Sequence, residues 1–497
     1  MKRPIIILTA ALLLTCCTGI PKTADNTETY PSVFPDVTDI TVPANIAPVT
    51  FMLQDGAASY VTTFESGDTR INLKGSKVSM PVRKWRRLTE RGDITVTVYA
   101  RTDGSWIRFK PFTIHVSDDP IDRYISYRII PPSFESYQRL TINQRDLTSF
   151  DEKVIYANTM GMKDGSRQCI NCHSYKNYRT DNMQFHVRHF NGGTIMLTQG
   201  HLRKINLKTD STISSGVYPA WHPTHDYVAY STNLTYQNMH TDNPDRIEVY
   251  DRASDLILYD VNRNSVSIIE NDSTQLECFP SWSPDGKTLY YVSAGIGSPS
   301  QLERKGGVMA NSTQIRYDLY AKDFNPDSRE WGPSRLIINA DSIGQSITLP
   351  RVSPDGRWLL YSMAPYGVFH IWHSESDLWM MDLKDSSVRR LDELNSPEVE
   401  SYHSWSSNGK WVIFSTRRDD GGYTRLYIAH MDGNGKLSKP FQLPQRDPAF
   451  SRKFMFSFNI PEFMIEPVRI SARRLASFIR GSQTTPVSFE TQRTQNQ

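Results

Sequence analysis

Cys169-Ile170-Asn171-Cys172-His173 is the cluster in this sequence whose residue types and spacing most directly imply chemistry. Two thiols three positions apart, followed at once by an imidazole, form the attachment pattern of a c-type haem. Each thiol can form a thioether to one porphyrin vinyl group, and the adjacent His173 is then held beneath the iron as proximal ligand. A sixth ligand would come from nearby, with His186 the first candidate and Met183 the second; His189, Met160 and Met162 are also in range. Three other readings compete. A thioredoxin-like pair needs a strand-to-helix context in an α/β fold. A structural zinc needs two further ligands at similar spacing. A short disulfide needs only an oxidising compartment.

The compartment is written in the first residues. Met1-Lys2-Arg3, an apolar run from Ile5 to Leu14 and then Leu14-Thr15-Cys16-Cys17 read as a lipoprotein signal over residues 1–17. Cys17 is the expected lipidated residue, because a leucine then stands three positions before the cut, and Cys16 is the alternative. A multiply acylated cysteine anchors stably. Covalent haem attachment also takes place outside the cytoplasm, so the two readings agree. The remaining cysteine, Cys278, stands alone.

These groups must be positioned by β-structure. With 56 basic and 53 acidic residues the 497-residue chain has a net charge of only +3, and no basic stripe suggests nucleic acid. Residues 18–42 read as a polar tether. Residues 43–118 alternate as short strands (Ile94, Val96, Val98; then Trp106 to Val116 after Asp103-Gly104), which predicts a small sandwich of immunoglobulin-like type. Residues 119–182 read as a connecting segment that carries the cysteine cluster.

Beyond it lies an internal repeat. Its copies are Tyr218-Pro219-Ala220-Trp221, Phe279-Pro280-Ser281-Trp282, Leu349-Pro350-Arg351-Val352 and Tyr402-His403-Ser404-Trp405. Three run on into Asp285-Gly286, Asp355-Gly356 or Asn408-Gly409, and every copy leads into an apolar strand. A degenerate copy is placed at Phe185 to Leu197, and closing strands between Phe450 and Met464. One four-stranded sheet cannot bury both faces, so such repeats stack in a ring. The expected fold is therefore all-β: a five- or six-bladed propeller over 183–465, six preferred, with a polar tail at 466–497.

With lipobox, haem motif and blades together, the chain resembles exported bacterial TolB-like propeller proteins loosely labelled cytochrome c family. The resemblance runs through Asn45-Ile46-Ala47-Pro48, the cysteine cluster, the blades and Asn459-Ile460-Pro461-Glu462-Phe463-Met464. It implies a propeller and one covalent haem c, in the cell envelope at the periplasmic face of the outer membrane. The expected partners are that membrane, through the lipid, and a docked redox or scaffold protein. Electron transfer is the leading function, a partner-binding scaffold of the TolB kind the second. A haem enzyme with an open iron site is the third, its pocket drawn from His370, His373, His403, Arg417, Arg418 and Asp419.

Overall fold

The computed structural model describes residues 19–491, apart from 133–136, 164–165, 242–244, 246 and 305. Cys16 and Cys17 lie outside the described residues. The protein is a β-propeller with an N-terminal β-domain packed on one side of it. Six four-stranded antiparallel units follow one another around the axis among the described residues.

Blade one is Gln168–Lys176, Arg179–His189, Gly193–Thr198 and His201–Asn206; blade two begins at Gly216–Trp221, blade three at Gln275–Trp282, blade four at Ser346–Val352 and blade five at Glu400–Trp405. Blade six is built from both ends of the propeller sequence. Its innermost strand is Ser457–Met464, and its outer three are Tyr124–Ile130, Thr141–Asp146 and Glu152–Ala157. This composite sheet closes the ring and leaves no open radial end.

Residues 119–182 are thus no connecting segment. They supply three strands of blade six and the innermost strand of blade one, so the expected boundary at 183 falls inside Arg179–His189. The stretch from Phe185 to Leu197 forms the second and third strands of blade one and does not open a repeat. The expected tether is also structured. Asp25–Asn26 pairs in parallel with Ile107 and Arg108, and Val33–Phe34 pairs with Leu53 and Met52. The tail adds a helix, Ala472–Gly481, and two short strands that extend the outer edges of blades one and two.

The N-terminal domain keeps the alternation read from Ile94, Val96 and Val98, all fully buried. It departs from an immunoglobulin sandwich in holding two parallel strand pairs and the helix Val82–Thr89, whose Trp85 donates its indole N–H to the Ile46 carbonyl at 3.1 Å. Its core is continuous with that of blades five and six through Trp411, Ile413, Leu426, Ile428, Phe458 and Phe463, so the two parts share one apolar interior.

The Asp-Gly turns differ in one respect from a two-residue hairpin turn in which both residues take positive φ. Only the glycines do: Gly286 (73°), Gly356 (75°) and Gly409 (67°). In blade three the Ser283 hydroxyl bonds the Asp285 carboxylate (2.6 Å), which accepts the Lys287 N–H (3.0 Å), while the Gly286 N–H bonds the Ser283 carbonyl (2.9 Å). This is a longer loop with a single left-handed glycine, and the serine–carboxylate pair sets its shape.

Candidate functional site

Each innermost strand carries a β-bulge at the same point, with a second irregularity after Tyr175 in blade one, and at the shared bulge one residue has positive φ: Cys172 (55°), Tyr218 (50°), Phe279 (52°), Leu349 (54°), Tyr402 (44°) and Ile460 (52°). A bulge bends its strand and re-aims the side chain at that point. The next residues are His173, Pro219, Pro280, Pro350, His403 and Pro461, and three positions after the bulge stand Tyr175, Trp221, Trp282, Val352, Trp405 and Phe463. Cys172-His173 is therefore the first blade's copy of the repeat dipeptide. Sequence reading missed this copy because the cysteine spacing drew the residues into another pattern, and no proline marks them.

The bulge residues crowd the propeller axis. The rings of Tyr218 and Phe279 lie 4.2 Å apart, and Cys172, Phe279, Leu349 and Tyr402 are buried. Burial pushes the Cys172 thiol up, against a smaller opposing effect of Arg188. His173 is 2% exposed, and burial holds its pKa down at about 3, with Arg128 adding to the effect. The backbones of Ser126 and Ile460 approach its ring closely enough to favour a proton, yet neither is aligned as a hydrogen bond. Both ring nitrogens stay unpartnered among the described residues.

Donor chemistry alone would suit iron: two thiols and a neutral imidazole with free nitrogens. The arrangement does not fit a porphyrin. Cys169 lies on the strand opposite Arg188 and packs against the apolar layer between blades one and six, whereas Cys172 faces the axis beside Tyr218 and Tyr402. Thioethers to one porphyrin edge need both sulfurs on the same side. They also need a slot beside His173, where Arg128, Tyr175 and the bulges of neighbouring blades already pack. Neither candidate sixth ligand is poised. His186 is buried with Nδ1 held 3.0 Å from the Thr194 hydroxyl, and burial lowers its pKa to about 3. Met183 is 2% exposed inside the apolar layer.

A repeat position should tolerate the repeat's own residue. His173→Pro, which reproduces the dipeptide of blades two, three, four and six, is expected to fold with a loss of no more than about 2 kcal/mol. Thermal denaturation followed by circular dichroism checks this, and failure to fold would show that His173 has a role its equivalents lack.

The residues expected to line an enzyme pocket do not converge beside Cys169 and His173. His403 occupies the blade-five copy of the His173 position, with Nε2 3.1 Å from the Leu360 carbonyl. Arg418 pairs with the buried Glu400 (2.9 Å), Asp419 accepts the Tyr427 hydroxyl (2.6 Å), and Arg417 lies over the Trp372 ring at 3.6 Å. His370 donates its Nε2–H to the Gly367 carbonyl (3.0 Å), and His373 meets Glu248 at 2.8 Å in a pair almost wholly out of solvent.

Sequence reading did not find the carboxylates around blades two and three. Asp251 is pushed up to about 7, Glu277 to about 8 and Asp255 to about 6, in each case chiefly by burial. Asp251 accepts only the Asn233 amide (2.7 Å), the same amide that reaches the Cys278 sulfur at 3.5 Å. Among the described residues none of the three has a Lys or Arg partner within salt-bridge distance. Their positions follow no common spacing, so no sequence signal joins them. Among the described residues no group of three His, Cys, Asp or Glu could hold a metal ion.

The fold defines a β-propeller protein with a fused N-terminal β-domain. No family model matches the chain, and no curated protein does. Among solved structures it is similar to hydrazine synthase of Kuenenia stuttgartiensis (14% identity, 66% of this chain and 48% of that one, TM-score 0.40). It is similar also to a hypothetical selenium-binding protein of Sulfolobus tokodaii (8% identity, 69% and 94% covered, TM-score 0.41). A third is the β-propeller domain of the Trilobed protease from Pyrococcus furiosus (11% identity, 84% and 99% covered, TM-score 0.30). The matched region spans about half of the hydrazine synthase chain.

Proposed function

We propose that this chain is an exported partner-binding scaffold of the TolB-like kind, anchored in the bacterial envelope through acylated Cys17. One observation carries the reading: the Cys-His dipeptide sits at a bulge that recurs in all six inner strands, so the strongest chemical motif serves the fold. What remains distinctive is an extended blade-two hairpin that reaches the blade-four loop, where Glu248 meets His373 at 2.8 Å and Asp245 accepts the Ser374 N–H at 3.2 Å. Tyr227–Met239 and Ile247–Asp260 extend well beyond the length of the other blade strands and carry the exposed Leu234, Tyr236 and Met239. Arg252 stacks on Tyr236 at 5.2 Å and pairs with Glu303 (3.5 Å) of the helix Pro299–Arg304. Exposed apolar side chains grouped on one strand of an extended hairpin mark a contact surface.

The triple variant Leu234→Asp, Tyr236→Asp, Met239→Asp is expected to abolish cross-linking to envelope proteins in intact cells, at least about tenfold, with the melting temperature unchanged. Cross-linking at the parental level would remove the hairpin from the scaffold reading.

A second reading, monohaem electron transfer, is favoured by the two unpartnered nitrogens of His173. It would assign Cys169 and Cys172 to the haem and His173 to the iron, and it requires blade one to open. The haem would supply a one-electron couple.

A further inference from the structure

The course of residues 19–26 bears on how such a scaffold would sit at its membrane. Gly19 lies against Lys74: a Cβ at residue 19 would stand 3.1 Å from the lysine Cε. Lys74 ends Thr69–Lys74, one edge strand of the N-terminal sheet, whereas Asp25–Asn26 is the opposite edge, beyond Ser105–Arg108. The first described residues therefore strap across the sheet. The strap is then fastened, with the Thr27 N–H on the Arg108 carbonyl (3.0 Å) and the Lys110 N–H on the Thr29 carbonyl (3.0 Å).

Chain length fixes the consequence. From Cys17 to Gly19 is two residues, roughly 7 Å at full extension, and from Cys17 to Asp25 is eight, roughly 28 Å. Acyl chains on Cys17 would leave no slack for a free tether. The surface at the strap carries exposed Lys22, Lys74, Arg101, Arg108 and Lys110, none in a salt bridge among the described residues, against Asp25, Glu28 and Asp103. Tyr30, 44% exposed, lies under the Lys110 ammonium at 4.8 Å. Basic residues beside an acyl anchor add attraction to anionic headgroups.

We propose that this strapped surface of the N-terminal domain rests on the anionic phospholipid surface. Because that domain shares its core with blades five and six, the contact fixes the orientation of the propeller, with blade two across the ring from it. The proposal rests on the acylation of Cys17 proposed above.

The test uses the full-length acylated protein, in a Cys169→Ser background, on phosphatidylethanolamine–phosphatidylglycerol vesicles. An environment-sensitive fluorophore is placed at Lys74→Cys or, on the blade-two hairpin, at Gln237→Cys. The label at 74 is expected to shift to the blue and lose most of its emission to a headgroup-attached quencher, and the label at 237 to do neither. A long Gly-Ser insertion after Thr18 should weaken the quenching at 74 several-fold without releasing the protein. If the protein floats with vesicles while the label at 74 stays in water, the docking proposal falls and the anchor stands. If it does not float at all, the anchor reading fails and takes the proposal with it.

Discussion

Gly286→Ala is expected to destabilise the propeller by about 3–5 kcal/mol. The glycine has φ 73°, which costs an L-residue about 1–2 kcal/mol. A Cβ there would also stand 2.3 Å from the His222 ring, so the ring or the turn must shift. His222 is fully buried, bonds the Gly286 carbonyl through Nε2 at 2.9 Å, and packs on Trp282 with ring centroids 4.7 Å apart. The substitution therefore strains a turn and loosens the contact between blades two and three together. Chemical denaturation gives the loss directly. The same change at Gly409, where the nearest atom is Pro354 Cδ at 3.4 Å, should cost clearly less. Equal losses at the two sites would mean that the backbone conformation dominates and that His222 yields without cost.

The second large effect is on stability as a function of pH, and two sets of groups oppose each other. Asp251, Glu277 and Asp255 have folded pKa values of about 7, 8 and 6, raised from 3.8, 4.5 and 3.8 by burial. The folded state thus holds more protons than the unfolded chain, and stability is lost as pH rises from about 4 towards 8. His173, His186, His370 and His403 are held down at about 3 from 6.5, again by burial. Here the unfolded chain holds more protons, so stability is lost as pH falls from 6.5 towards 3. Stability is expected to peak between about pH 6 and 7 and to fall on both sides, by about 4 kcal/mol towards pH 4 and by about 1 kcal/mol towards pH 9, where the histidines offset part of the carboxylates' loss. Melting temperatures measured from pH 4 to pH 9 trace the curve. Asp251→Asn with Glu277→Gln should flatten the alkaline limb and steepen the acid limb, where the same carboxylates otherwise oppose the histidines. An alkaline limb unchanged by the double variant would show that those carboxylates ionise freely in the folded protein.

Much of the fold was legible because a propeller writes its period into the chain. The tryptophans at 221, 282 and 405 stand at equivalent points of their inner strands, and Trp282 and Trp405 each donate to the preceding blade, to the Ala220 and Arg351 carbonyls at 3.1 and 3.0 Å. Blade six was not legible as a unit. Its strands are separated by about the length of the whole ring, and only closure brings Ile125 opposite Phe463. Nor did the segment before Pro43 carry a hydrophobic period, because its two-residue strands gain order by pairing along sheets already formed. The site shows the converse. Cys-x-x-Cys-His is a pattern of types and spacing, and those count only if the backbone turns both thiols to one side. A β-strand alternates its side chains, and the bulge at Cys172 sends one thiol to the axis while the other stays between the blades. Local sequence cannot report that choice. The register with Arg179–His189 makes it.

The most direct measurement is the pyridine haemochrome spectrum of the full chain, expressed with the cytochrome c maturation machinery and denatured before reading. If Cys172-His173 is the repeat dipeptide of blade one, the denatured protein carries no covalent haem, and Cys169→Ser and Cys172→Ser change neither the spectrum nor export. One haem per chain, retained through denaturation and lost in either cysteine variant, would contradict the account and establish the electron-transfer reading in its place.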